Sequence, residues 1–113
     1  MIIRIGIVFL LILLVILGFS LKKNEDLPEY SITIKDHYFE PARLEIPAGK
    51  KIRLLVKNLD NSVEEFESFE LKREKIVPAG GQIKVIIGPL QPGKYKFFGE
   101  FHEATAQGII EVK

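Results

Sequence analysis

Cysteine is missing altogether from the 113 residues. Its absence removes disulfides, thiolate metal ligands and thiol nucleophiles together, and with them zinc-finger and iron–sulfur chemistry. Histidine is nearly as scarce, with only His37 and His102 available as imidazole base or ligand. Ser31, Ser62 and Ser68 lack the Gly-x-Ser-x-Gly surroundings of an activated serine. No glycine-rich phosphate loop leads into a helix. No basic stripe interleaved with aromatics is present, which argues against nucleic acid as a partner. Together these absences point away from an enzyme and toward a binding or accessory role.

What is there begins with a hydrophobic leader. Residues 1–21 carry one charge, Arg4, followed by an apolar run from Ile5 to Phe19. A domain of this size cannot cover such a run, so it reads as a signal peptide or a membrane anchor. Gly18 and Ser20 suit a cleavage site after Ser20; left uncut, the run associates the chain with a membrane. Either way the remainder is expected to be periplasmic or otherwise extracytoplasmic, or anchored to the inner membrane. Beyond the leader lie 15 of the 16 Lys and Arg, all but Arg4, and all 15 Asp and Glu, so this part is neutral overall. Residues 22–29 form a polar tether and residues 30–113 one domain.

Within the domain the apolar residues alternate with a period of two. Tyr30, Ile32 and Ile34 share a face, as do Leu44 and Ile46, then Ile52, Leu54 and Val56, and finally Ile110 and Val112. Asp36 to Pro41 reads as a connection that holds His37. Ala48-Gly49, Pro78 to Gly81 and Gly88 to Gly93 are turns. In Glu64 to Leu71, Phe66 lies in one phase and Phe69 and Leu71 in the other, which predicts a bulge or bend near Ser68. The pattern predicts an all-β sandwich or barrel of about seven or eight short strands, with no helix after the leader.

Two acidic groups carry the candidate chemistry. Glu64, Glu65, Glu67 and Glu70 fall within one short segment, and Glu100 and Glu103 flank His102 in a loop between two strands. On an exposed edge strand such acids make a solvated face that resists aggregation. As a site, carboxylates with one imidazole suit Fe(III), Cu(II), Mn(II) or Zn(II) rather than Cu(I), which prefers sulfur. In a strand Glu65 and Glu67 point to the same face, so both address one ion wherever that face meets the His102 loop.

The closing stretch resembles that of the cupredoxins. Tyr95 and Phe97 match the Tyr-x-Phe strand, and Gly108, Ile110 and Val112 match the close. Phe39-x-Pro41 and Leu44-x-Ile46-x-x-Gly49 look like the opening. In that alignment the cupredoxin Cys falls on Gly99, its second His on His102 and its Met on or near Ala106. Its first His falls on Glu64 or Glu65. The resemblance implies a cupredoxin-like Greek-key β-sandwich preceded by the N-terminal hydrophobic helix. The changed ligands imply that it is no blue-copper electron carrier. The segments E-E-F-E-S-F-E-L-K-R-E-K and F-H-E-A-T-A-Q-G are similar, more narrowly, to small exported proteins associated with bacterial iron permeases. They are also similar to the cupredoxin domain of EfeO-type iron-uptake proteins, in which a Glu before an aromatic residue replaces the first His. Here that residue is Glu65 before Phe66.

The expectation is therefore an exported metal-binding domain serving iron or copper uptake. Glu65, Glu67 and His102 are the expected ligands, with Glu64, Glu100, Glu103 and His37 as substitutes. The expected cofactor is an iron or copper ion, the expected partner a membrane iron permease, and a homodimer is a further option. The alternative is a metal-free cupredoxin scaffold that docks on a membrane transporter as an accessory subunit. The orientation of Glu65 and Glu67 separates the two: facing solvent away from His102, they favour the scaffold.

Overall fold

The first alternating run is realised as strand β1, Glu29–Lys35, with Ile32 and Ile34 in the core and Tyr30 packed at its margin. The structure, a computed structural model, describes residues 26–113. The expected leader with its hydrophobic helix, and residues 22–25 of the tether, lie outside the described residues.

After β1 come β2 (Tyr38–Glu40), β3 (Arg43–Ile46), β4 (Ile52–Asn58), β5 (Glu64–Ser68), β6 (Arg73–Val77), β7 (Gln82–Ile87), β8 (Gly93–Gly99) and β9 (Gln107–Val112). One turn of 3-10 helix, Glu100–His102, separates β8 from β9. Nine strands are thus present where about seven or eight were expected. The additional one is β2, which alternation alone could not reveal in three residues. It exists because Asp36 and His37 both take left-handed backbone angles, φ 53° and 64°. Two such residues make the tight turn that matches the twist of a hairpin. Neither residue is glycine, so the turn needs support. The Asp60 carboxylate supplies it by accepting the Asp36 and His37 N–H groups at 2.8 and 3.0 Å.

The bend expected near Ser68 is a strand end followed by a turn, not a bulge within a longer strand. The Ser68 hydroxyl donates to the Lys96 carbonyl at 2.6 Å and accepts from the Leu71 N–H at 3.1 Å. The chain then reverses through Lys72, at φ 55°, into β6. Leu71 accordingly returns to the core while Phe69 stays exposed.

The strands form two sheets, ordered β2-β1-β4-β7 and β3-β9-β8-β5-β6. β1 pairs parallel with β4 and β3 with β9; the remaining pairings are antiparallel. Side chains from both inner faces meet in one core, as alternation requires. Its centre is aromatic. The Phe97 ring meets Phe39 edge-on at 4.9 Å and Phe66 at 5.4 Å between ring centres. Gly108 lies opposite Phe97 in the β8–β9 register. A Cβ there would clash with the Cζ end of the Phe97 ring, so the ring occupies space that only glycine leaves. Gly108→Ala is expected to lower stability by about 1–3 kcal/mol through overpacking, read as a fall in the urea midpoint.

Candidate functional site

Strand β5 decides which acids face inward. Phe66 is a core residue, and a period of two then sends Glu64 and Ser68 inward and Glu65 and Glu67 to the outer face. Glu64 is 1% exposed.

A buried carboxylate must be hydrogen-bonded, and this one is bonded at both oxygens. Oε1 accepts the N–H groups of Glu65 and Phe101, each at 2.9 Å. Oε2 lies 2.6 Å from His102 Nδ1, which donates to it. The 3-10 turn that carries His102 is tied down by the Ala106 N–H, which donates to the His102 carbonyl at 2.8 Å, and by the Gly99 N–H, which donates to the Ala106 carbonyl at 2.8 Å. His37 stacks on His102 with ring centres 3.6 Å apart and planes 12° from parallel. Stacked rings keep their in-plane lone pairs in nearly parallel planes, so the two imidazoles do not converge on one ion. His37 is itself fixed. Its Nε2 lies 3.3 Å from the Ser62 hydroxyl, and its carbonyl accepts the Thr105 hydroxyl at 2.6 Å.

Glu64, Gly99, His102 and Ala106, four positions that the cupredoxin alignment assigns to ligands, therefore converge. A Cβ on Gly99 would stand 2.6 Å from Glu64 Cδ and 2.7 Å from Ala106 Cβ. The donors they offer are one carboxylate and one imidazole, already bonded to each other. Thiolate and thioether are absent, and no side chain fits at Gly99 while Glu64 stands beside it. This donor set does not fit a blue-copper centre.

A second cluster lies on the outer face. Glu65, Glu67 and Glu74 each bring a carboxylate oxygen within 4.8 Å of the others. Glu67 and Glu74 are directly opposite in the β5–β6 register, where like charges repel. Partial burial raises the Glu67 carboxyl first. The hydrogen bond and charge of Glu100 and the charge of Glu74 add to that, and together they push it to about 7. Glu65 is raised as well, by partial burial and then by its hydrogen bond to Glu74 and that residue's charge. The cations on the same strand turn elsewhere: Arg73 donates to the Ile86 carbonyl at 3.0 Å and Lys75 to the Lys84 carbonyl at 3.4 Å, both on β7.

The expected ligand set is thus divided. Glu65 and Glu67 come together, but with Glu74, and Glu100 borders Glu67. His102 is paired inside the sandwich with Glu64, one of the substitutes. His37 stacks on His102, and Glu103 is exposed, its carbonyl accepting the Gln107 side-chain N–H at 2.7 Å. Glu74 and Asp60 were missed. Only the β5–β6 register brings Glu74 opposite Glu67, and nothing local marks Asp60 as the support of a distant turn.

A family model described as the cupredoxin-like domain matches residues 6–112. The chain belongs to the cupredoxin-like domain family. An uncharacterized protein of Rickettsia prowazekii (strain Madrid E) is 53% identical over 91 residues, which cover 80% of this chain and 73% of that protein. Among solved structures, auracyanin A, a "blue" copper protein from Chloroflexus aurantiacus, superposes with a TM-score of 0.65 at 12% identity. The match covers 75% of this chain and 98% of that one. The metal-binding domain of the Cu(I)-exporting P-type ATPase CopA of Streptococcus pneumoniae D39, solved with Cu(I), gives 0.64 at 14% identity over 75% and 84%. At these identities the likeness is one of fold. The cupredoxin-like domain shares the sandwich of these neighbours.

The raised Glu67 carboxyl makes stability depend on pH. Its ordinary value is 4.5 and its folded value about 7, so the folded state holds the proton more tightly than the unfolded chain. The stability this confers is present below the ordinary value and is lost as pH rises through about 7. Compared with Glu67→Gln, the natural protein should lose urea resistance between about pH 5 and pH 8. A difference that does not change with pH would place the Glu67 carboxyl in the ordinary range.

Proposed function

We propose that this cupredoxin-like protein works outside the cytoplasm as a metal-handling subunit of iron or copper uptake. Its cargo ion is taken on the outward carboxylates Glu65, Glu67 and Glu74, with Glu100 alongside. The observation that carries this reading is the convergence of three carboxylate oxygens within 4.8 Å of one another, with the Glu67 proton held to about pH 7. Crowded like charges cost free energy, and a cation bound among them relieves that cost. All-oxygen ligation suits hard ions such as Fe(III), and it holds Fe(III) or Cu(II) without reducing them. Ligands that are half-buried or exposed leave part of the ion's coordination to water, which allows its transfer to a membrane permease. The similarity of the E-E-F-E-S segment to EfeO-type iron-uptake proteins supports the same direction.

The scaffold reading has its own support. Glu65 and Glu67 face away from the Glu64–His102 pair, and by that criterion a metal-free docking subunit is favoured. The criterion assumed that His102 had to complete the site. Glu74 supplies a third ligand without it, and this keeps metal handling as the first reading.

Calorimetric titration of the full-length protein with Fe(III)-citrate, Cu(II), Mn(II) and Zn(II) separates the two. One saturable site is expected, weakened at least about tenfold, or about 1.4 kcal/mol, in Glu65→Gln, Glu67→Gln and Glu74→Gln. It should be retained in His102→Ala. Because the ion displaces the Glu67 proton, affinity should rise as pH is raised through about 7. No saturable binding, or binding indifferent to the three acids, would leave the scaffold as the function.

A further inference from the structure

We infer that the Glu64–His102 pair takes the structural place of a metal ion, closing the ligand end of this sandwich and making it independent of metal. The residue positions that the family resemblance assigns to ligands meet at one point, and both Glu64 oxygens and His102 Nδ1 are already committed there. Glu64 Oε1 holds two backbone N–H groups and Oε2 holds His102 Nδ1. Among the described residues no buried side-chain nitrogen or oxygen is left without a partner.

The His102 ring is not free to swing out and recruit one. The His37 ring lies face to face with it at 3.6 Å. His37 is held in turn by Asp60 at its N–H, by Ser62 at Nε2 and by Thr105 at its carbonyl. Gly99 completes the closure. The space that a ligand side chain there would need is taken by the Glu64 carboxyl and the Ala106 methyl, at 2.6 and 2.7 Å from a built Cβ.

The carboxylate–imidazole bond joins the first residue of β5 to the turn that follows β8. These are the two segments that an ion bound at the same positions would bridge. The exchange also shows in the cost of removal. A buried carboxylate deprived of its imidazole keeps two backbone donors but loses its strongest partner. A carboxamide at residue 64 keeps one oxygen for the two N–H groups but sets an uncharged NH₂ group against His102 Nδ1, where the charge-assisted bond is lost and the imidazole must change tautomer to accept. The pair is therefore a fastening between β5 and the β8–β9 connection, and it owes nothing to the carboxylates on the outer face.

The test is nitrogen NMR of the His102 ring in the full-length protein during titration with Zn(II) and then with Cu(I). Both ions are diamagnetic and leave the signals visible. The His102 Nδ1 signal is expected to stay at its hydrogen-bonded position throughout, whether or not metal binds elsewhere. A shift of Nδ1 to a metal-bound value would overturn the inference, and that measurement needs no variant. In parallel, Glu64→Gln should lower Tm by more than about 5 °C without any added metal. A Tm equal to that of the natural protein would also overturn it. Failure to bind metal on the outer face would sink the metal-handling function while leaving this inference standing.

Discussion

Phe66 has to be in the core, and much of the functional geometry follows from that. Its ring packs with Phe97 and Phe39 at the centre of the sandwich. A strand offers only two faces, so burying Phe66 commits Glu64 to the interior and Glu65 and Glu67 to the exterior. A slip of one residue would place two carboxylates in the core and Phe66 in water, which the burial of a large aromatic forbids. One packing decision thereby creates two acidic sites that share a strand and have different chemistry. The inner carboxylate is dry and saturated with hydrogen bonds. The outer ones are half-buried and crowded by one another.

The inner site shows what an isolated buried carboxylate requires. Taking an ionised carboxylate out of water carries a penalty of several kcal/mol unless its lone pairs are occupied. Glu64 meets the requirement with two backbone N–H groups and one imidazole, all within 2.9 Å. Each of those donors is itself positioned by secondary structure. The Glu65 N–H belongs to the same strand, the Phe101 N–H to the 3-10 turn, and the imidazole to a residue whose carbonyl anchors that turn. Further out, the Asn58 side chain donates to the Ser62 and Val77 carbonyls and accepts the Asp60 N–H. Asp60 in turn holds the β1–β2 turn and hence the stacked His37. The polar end of the sandwich is one connected network, and such networks specify a single arrangement when every member is satisfied.

The core was legible from alternation alone. Ile32, Ile34, Ile52, Leu54, Val56, Phe97, Ile110 and Val112 all lie where a period of two places them. The phase of Phe66 was equally readable, and extending it by two residues reaches Glu64. Preferring Glu65 followed the resemblance to iron-uptake proteins rather than the strand's own period. What could not be read was non-local. The pairing of Glu74 with Glu67 depends on the length of the turn between β5 and β6, and Ser68 and the left-handed Lys72 set that length. The support of Asp36 and His37 by Asp60 spans more than twenty residues, and no periodicity records it. Strand β2 was hidden for the same reason, since a three-residue strand has too few positions to alternate.

The outer face of the β3-β9-β8-β5-β6 sheet supplies its own control. At the β3–β9 edge the charges are matched. Arg43 pairs with Glu111, and Lys113 lies 2.8 Å from Glu45 and 3.9 Å from the other Glu111 oxygen. The hydrogen bond from Arg43 lowers the Glu111 carboxyl, and the hydrogen bond to Glu45 raises the Lys113 ammonium, the signs expected of satisfied pairs. At the β5–β6 edge of the same sheet the signs reverse, and Glu65 and Glu67 are raised. Residues 22–113 are neutral overall, so a shortage of cations does not explain the difference. Lys75 and Arg73 lie on the neighbouring strand and are directed to β7 carbonyls instead. Alternation along β6 puts them on the face of their register partners Phe66 and Ser68, so the acids of the outer face are left to crowd one another. A cation bound among those acids, as proposed above, would relieve that crowding.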